Sequence, residues 1–329
     1  MTDEPEIIPA GEEKVVFLLG GQGTQYFGMA RSLLDEDAVF RSTMHELDRS
    51  AADRCGRSVL EYLYAPGRGF GDRCGDLLMT NLGLFFVEYS LARSLDDRGV
   101  RPDLLVGSSL GEFIAVAVAG HLPVTDVLDF LCELSDCVVR TMPPGGMIAV
   151  LAGLDQFREV VKPSADITIA SVNSDRHFVI SADVAALDRA RRAMVARDVL
   201  HQDLPVDFAF HSPAVNVMNS ELCRLGKRMH LQLPAGTSRI YSSRTCSLIT
   251  EVSGETCRQV IRGPIRFTET VSRIPSYRSH RYVDLSPSSS LAAILNSSLP
   301  ETETLPVITP FNAESQNIRR VVEQLGARG

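Results

Sequence analysis

The chain has 329 residues, 44% hydrophobic content and a formal net charge of −8, enough for one large or two smaller domains and a poor match to a general nucleic-acid binder. Its seven cysteines are odd in number and make no C-x-x-C, which points to reduced thiols in a cytoplasmic protein and to no metal centre. No apolar run approaches roughly eighteen residues and no secretory leader opens the chain, so neither a membrane span nor export is expected.

Residues 1–13 are acidic, carry two prolines and read as a flexible tail. Residues 15–19 are apolar and β-branched, a first strand that runs into Gly20-Gly21-Gln22-Gly23-Thr24-Gln25. A glycine-rich loop after a strand serves either to cradle phosphate or to offer a backbone amide to an oxyanion; this one has neither G-x-G-x-x-G nor G-K-[ST]. Residues 30–60 and 80–98 show helical spacing, and Gly99 and Pro102 close the second of these ahead of a short apolar strand at 104–106.

Gly107, Ser109 and Gly111 then form G-x-S-x-G, followed by an apolar stretch rich in small residues at 113–119. Strand, tight turn and helix is the context in which that motif marks a nucleophile elbow. Spacing makes Ser109 the nucleophile and leaves Ser108 on the x position. The helix start offers free N–H groups and positive partial charge to a developing oxyanion.

Residues 124–142 read as a helix, broken by Pro143-Pro144-Gly145-Gly146. The pattern beyond alternates: strand 147–152, helix 154–162, strands 167–172 and 177–181, helix 185–197 and strand 199–204. That β-α-β-β-α-β order is a ferredoxin-like unit. The expected architecture is α/β, with a parallel sheet: an α/β-hydrolase-like domain from 14–144 and 206–329, and a ferredoxin-like insertion at 145–205. The second part of the large domain carries strands at 239–242 and 281–285 and a final helix from Ala313. His211, in Asp207-Phe208-Ala209-Phe210-His211-Ser212-Pro213, stands where the chain returns to the large domain, placed to be the base a serine nucleophile needs. The other six histidines, His177 among them, read as surface or structural.

In order and spacing these stretches resemble malonyl-CoA:acyl carrier protein transacylases and the acyltransferase domains of polyketide synthases, over about residues 15–325. GGQGTQ resembles the PGQGSQ loop with Gly20 at the proline position, and GSSLGE resembles GHSLGE. GGMIAVLAG, ASVNS and FAFHSP resemble their counterparts, and PIRFTETV resembles PVRF. VDLSPSSSLAAIL resembles an E-x-G-P…L segment with Ser286 in place of glycine. The resemblance implies an acyl-ester on Ser109, His211 as general base and then acid, and an oxyanion hole of the Gln22 and Leu110 N–H groups. It implies a main-chain carbonyl, aligned with Val260, that orients His211 in place of a triad aspartate. It implies no cofactor, the acyl group arriving on the phosphopantetheine of an acyl carrier protein or on coenzyme A, and an expected monomer.

Two departures bear on substrate. Members that use malonyl groups carry an arginine twenty-five residues after the nucleophile, and that count from Ser109 reaches Leu134. Arg140 is six residues further along, about 240° around a helix. A carboxylate buried against Leu134 without a partner costs several kcal/mol; at ~1.4 kcal/mol per tenfold, discrimination against malonyl reaches roughly a thousandfold. Ser108 replaces the usual histidine beside the nucleophile. The expected donor is an uncharged acyl thioester, in a pocket made by Ser108, Leu134, Phe208, Phe210 and Asn173. The resemblance is nearest to stand-alone acyltransferases of polyketide systems, a subgroup that includes hydrolases which release stalled acyl groups. A non-catalytic docking protein and an unrelated esterase are disfavoured by the intact Ser109, His211 and GGQG, and by the inserted unit. Arg258, Arg262, Arg266 and Arg273 fall in an arginine-rich stretch whose only internal counter-charge is Glu269, a candidate surface for an acidic carrier.

Overall fold

The computed structural model describes residues 13–326 apart from 163, 235, 237, 238, 311 and 312. The tail expected over residues 1–13 lies outside these, Glu13 excepted. Strands Val15–Leu19 (β1) and Leu104–Gly107 (β2) are buried along their whole length, which explains their unbroken apolar sequence: helices cover both faces of the sheet they form. Four strands follow between the two halves of that sheet: Gly145–Val150 (β3), Thr168–Ser174 (β4), His177–Asp183 (β5) and His201–Asp203 (β6). The remaining strands are Leu231–Gln232 (β7), Ile240–Ser242 (β8), Ser247–Leu248 (β9), Glu251–Val252 (β10), Arg281–Asp284 (β11) and Glu303–Pro306 (β12).

The main sheet has the order β12-β11-β1-β2-β8-β9, parallel except for β9. Successive side chains of a strand point to opposite faces. Accordingly Val15, Phe17 and Leu19 join the larger core, with the helices Leu77–Asp97, Leu110–Val118 and Val124–Thr141, while Val16 and Leu18 pack with Phe267, Val271 and Leu295 on the other side.

The second sheet is antiparallel, in the order β4-β5-β3-β6. One face, with Ile148, Val150, Phe178 and Ile180, builds its own core under the helices Leu154–Val160 and Val184–Val195. The opposite face, with Met147, Ala149, Ala170 and Val179, joins the larger core. The second sheet is tied to the segments that flank it where Ile265 donates its N–H to Ala170 at 2.8 Å and Gly145 donates to Asp207 at 3.0 Å. All seven cysteines are free. Among the described residues no helix is long and apolar enough to cross a membrane, and no group of three His, Cys, Asp or Glu side chains is placed to hold a metal.

Candidate active site

Strand β2 delivers the chain to Ser109, which caps the helix Leu110–Val118 with φ 57° and ψ −118°. That backbone is strained for a side-chain-bearing residue, and its neighbours hold it. A Cβ on Gly107 would lie 2.5 Å from the Glu112 Cα, and one on Gly111 would lie 2.1 Å from the Leu19 carbonyl oxygen. The two glycines therefore let helix, strand β1 and strand β2 meet at closer range than any other residue permits.

The Ser109 Oγ lies 2.8 Å from the His211 Nε2, and the His211 Nδ1 lies 2.7 Å from the Gly263 carbonyl oxygen. A carbonyl can only accept, so Nδ1 carries the proton and Nε2 is free to accept from the serine hydroxyl. His211 is 3% exposed and holds φ 56°. Burial pushes its imidazole down to about 4, against the opposing pull of the Gly263 hydrogen bond. At neutral pH the ring is uncharged, the form a general base requires.

The orienting carbonyl expected at Val260 thus belongs to Gly263. Val260 lies within the helix Gly254–Arg262. The adjoining Ile261 carbonyl accepts the His211 N–H at 2.9 Å. Gly263, first beyond the helix end and extended, turns its carbonyl to the ring.

Gln22 and Leu110 line the same cavity, and their backbone N–H groups have no acceptor among the described residues. The Gln22 loop is anchored from behind. The Gln22 side chain donates to the Asn81 Oδ1 at 2.6 Å, Asn81 donates to Ser135 at 3.0 Å, and Gly20 donates its N–H to the Glu88 carboxyl at 2.9 Å. Burial drives the Glu88 carboxyl well above the usual range. On the elbow helix Glu112 accepts from the Ser243 hydroxyl at 3.1 Å, and burial raises its carboxyl to about 7. Asn81 and Glu88 carried no signal in the sequence beyond their positions in a helix, whereas Glu112 closes the GSSLGE motif.

The cavity has a volume of about 200 Å³. Leu134 and Val138 enter it from the helix Val124–Thr141, and Met147, Ala149 and Val179 from the second sheet. Phe210, Ser108 and Asn173 are among its lining residues. Phe208 is half-buried and outside the lining, its ring 6.1 Å from that of Phe210. His177, read from sequence as structural or exposed, is in the lining, beside Asn173 at 3.4 Å; Asn173 in turn accepts from Ser171 at 2.6 Å. No lysine or arginine is among the lining residues. Arg140 is 59% exposed and pairs with Asp136 at 2.8 Å, on the outer side of its helix.

The arginine-rich stretch is more neutralised than its sequence implies, because its counter-charges come partly from outside it. Arg258 pairs with Glu255 at 2.6 Å and Arg273 with Glu269 at 2.6 Å. Arg262 donates to Asn216 at 3.0 Å, and the Arg266 Nε donates to the Arg244 carbonyl at 3.2 Å.

A serine–imidazole–carbonyl line beside two free amides, inside a largely apolar cavity, is equipped for acyl transfer through an ester. Comparison with known proteins agrees. A family model described as an acyl transferase domain matches residues 16–325. The polyketide biosynthesis acyltransferase homolog PksD of Bacillus subtilis is 33% identical over 94% of this chain and 96% of its own length. BaeD of Bacillus velezensis, named likewise, is 32% identical over 95% and 97%. The acyltransferase domain from the second module of the salinomycin polyketide synthase superposes with a TM-score of 0.80 at 26% identity, covering 97% of this chain and 74% of that one. The malonyl-CoA:acyl carrier protein transacylase of Xanthomonas oryzae, at 23% identity and a TM-score of 0.77 over 95% and 99%, shares the fold. On the match across nearly its whole length, the chain belongs to the acyl transferase domain family.

Proposed function

We propose that this protein moves a neutral acyl group, through an ester on Ser109, from a thioester to an acyl carrier protein in polyketide biosynthesis. The carrying observation is a cavity that holds Ser109 and His211 and has Leu134, with no lysine or arginine, in its wall. Ser109 attacks the thioester carbonyl while His211 Nε2 takes the hydroxyl proton. The N–H groups of Gln22 and Leu110 stabilise the oxyanion, each donor being worth roughly 3–4 kcal/mol. The C–S bond breaks, and the leaving thiolate takes the proton from His211. The acceptor thiol then reverses the sequence, giving its proton to His211 and its sulfur to the acyl carbon. The fold order supports the reading of a hydrolase-like domain with a ferredoxin-like insertion, and the names of the Bacillus relatives support the polyketide setting.

The test is intact-mass spectrometry after mixing the protein with butyryl and malonyl thioesters, then with holo-carrier protein or buffer alone. The expected record is a butyryl adduct on the unaltered protein, none on Ser109→Ala, and discharge to the carrier faster than to water. An adduct that persists in Ser109→Ala overturns the nucleophile. Discharge to water as fast as to the carrier turns the reading into an editing hydrolase.

A further inference from the structure

The loop that carries the Gln22 amide is seated from two sides. Gly21 rests on the elbow: a Cβ there would lie 2.9 Å from the Ser108 carbonyl oxygen, 3.2 Å from the Ser109 Cβ and 3.4 Å from the Leu110 nitrogen. A shift of Gly20 therefore passes directly into the spacing between the Gln22 and Leu110 amides. What fixes Gly20 lies in the helix Leu77–Asp97. Glu88, wholly buried there, accepts the Gly20 N–H at 2.9 Å, and Asn81 accepts from the Gln22 side chain at 2.6 Å. Asn81 and Glu88 are two helical turns apart and so share one face.

Gly20 is not in the left-handed region, so space rather than backbone conformation excludes a side chain from it. A Cβ on Gly20 would lie 2.7 Å from the Ser286 Cβ and 3.4 Å from the Glu88 Oε1. Ser286 is held in place. Its N–H and its hydroxyl both donate to the Asp284 Oδ1, at 2.9 and 2.7 Å, and the Asp284 Oδ2 takes the Ala292 N–H at 2.7 Å. Gly20 and Ser286 are both departures from the family pattern described above, which has proline at the first position and glycine at the second. A proline there would have no N–H for Glu88 and would put its own Cβ against Ser286. The two departures are thus one exchange. Bulk has passed from the loop to the segment after β11, and the loop has gained an N–H in place of a ring that locks φ. A glycine without a partner would leave the loop looser than a proline does.

We propose that Glu88 is the positioning residue of the oxyanion loop in this chain: its acceptor oxygen holds the Gly20 N–H and supplies the restraint that a proline would give, with Ser286 closing the space beside it. The inference rests on the acyl-serine reading above and deepens it. Burial pushes the Glu88 carboxyl well above the usual carboxylate range, against the pull of the Gly20 hydrogen bond and with Asp284 adding to the rise. The group is uncharged at neutral pH, which makes glutamine its nearest replacement.

The experiment measures single-turnover modification of Ser109 by two reagents. One is butyryl-coenzyme A. The other is diisopropyl fluorophosphate, in which the serine oxygen attacks phosphorus, fluoride leaves, His211 takes the proton and the phosphoryl oxygen uses the same amides. For Glu88→Leu the rate at saturating butyryl-coenzyme A falls about tenfold while the half-saturating concentration stays within about twofold, because the loop amide acts in the transition state; outright loss of an oxyanion donor costs about 10²–10³. Diisopropyl fluorophosphate shows a similar loss. Glu88→Gln, which keeps an acceptor oxygen, restores most of the rate. Gly20→Pro/Ser286→Gly is faster than Gly20→Pro alone, and in that double background, where no N–H is left to hold, adding Glu88→Leu changes the rate less than about twofold. A rate unmoved by Glu88→Leu, an equal loss in Glu88→Gln and Glu88→Leu, or the same loss in both backgrounds overturns the positioning role. Failure of butyryl-coenzyme A to modify an unaltered protein that still reacts with the fluorophosphate overturns the thioester reading instead, and the fluorophosphate rates then decide the role of Glu88 by themselves.

Discussion

His211 shows how a single side chain is set by what surrounds it. A histidine in water titrates near 6.5, whereas burial holds this one at about 4. The acid limb of Ser109 acylation should therefore lie near pH 4 to 5, with little loss at pH 6. The sign of the linked stability follows from proton counts. Between about pH 6.5 and 4 the unfolded chain binds the histidine proton and the folded chain does not, so this group destabilises the fold as pH falls. Glu112 at about 7 and Asp284 at about 6, both raised by burial, act oppositely: the folded state binds their protons first, and the fold gains as pH falls through that range. These contributions oppose one another while the histidine titrates, so the acid limb should be readable in a folded protein. Single-turnover acylation across pH 4 to 8, with circular dichroism alongside, checks this; an acid limb at 6.5 in a folded protein contradicts it. Ser109 and His211 were legible because motif and junction name them directly. Gly263 and His177 were not, since residue spacing does not reveal which carbonyl a helix end leaves free or which histidine a strand turns into a cavity.

At the scale of elements, the elbow is the least tolerant join. A Cβ on Gly111 meets the Leu19 carbonyl at 2.1 Å, a backbone atom in the middle of the main sheet that cannot rotate aside. Gly111→Ala should cost at least ~2 kcal/mol, by overpacking, and slow acylation as Ser109 shifts. Urea unfolding midpoints measure it, with Gly69→Ala, whose Cβ meets nothing within 4 Å, as the variant that stays within ~0.5 kcal/mol. A midpoint for Gly111→Ala equal to that of Gly69→Ala overturns the account. The long elements were readable from periodicity, including all six of the inserted unit. The helical stretch at 30–60 instead divides into Arg31–Glu36, Ala38–Cys55 and Val59–Leu63. The first break is fixed by Asp37, which caps the Phe40 N–H at 2.9 Å and takes Ser94 at 2.6 Å and Arg98 at 2.9 Å. Those last partners lie about sixty residues away and leave no local trace. Strand β12, Glu-Thr-Leu-Pro, was also unreadable: it is a sheet edge whose pairing with β11 outweighs a polar sequence.

The substrate class is a property of the whole molecule, because the cavity is assembled from the glycine-rich loop, the elbow, the helix Val124–Thr141, the second sheet and the segments around His211, Ile265 and Ser290. Sequence counting nonetheless reached Leu134, since the elbow and that helix are joined by a short rigid connection, while Phe208 and the arginine stretch needed the assembled fold to be placed. Leu134 is 6% exposed and faces the space beside Ser109 and His211. A malonyl carboxylate there loses its water and gains no cation, whereas each methylene of a butyryl chain gains ~0.8 kcal/mol on burial. Leu134→Arg should raise the ratio of malonyl to butyryl acylation at least tenfold, measured by competition between the two thioesters on one carrier. The gain is limited by Ser108, which leaves the opposite wall without a histidine, and by the cost of holding a guanidinium in an apolar cavity when no carboxylate is bound. Leu134→Met, close in volume and uncharged, should leave the ratio where it was, which separates charge pairing from reshaping of the wall. Faster loading of malonyl than butyryl by the unaltered protein would mean that a cation outside the lining, with Arg140 the nearest along the helix, swings in to meet the carboxylate, and the neutral-substrate reading would fall.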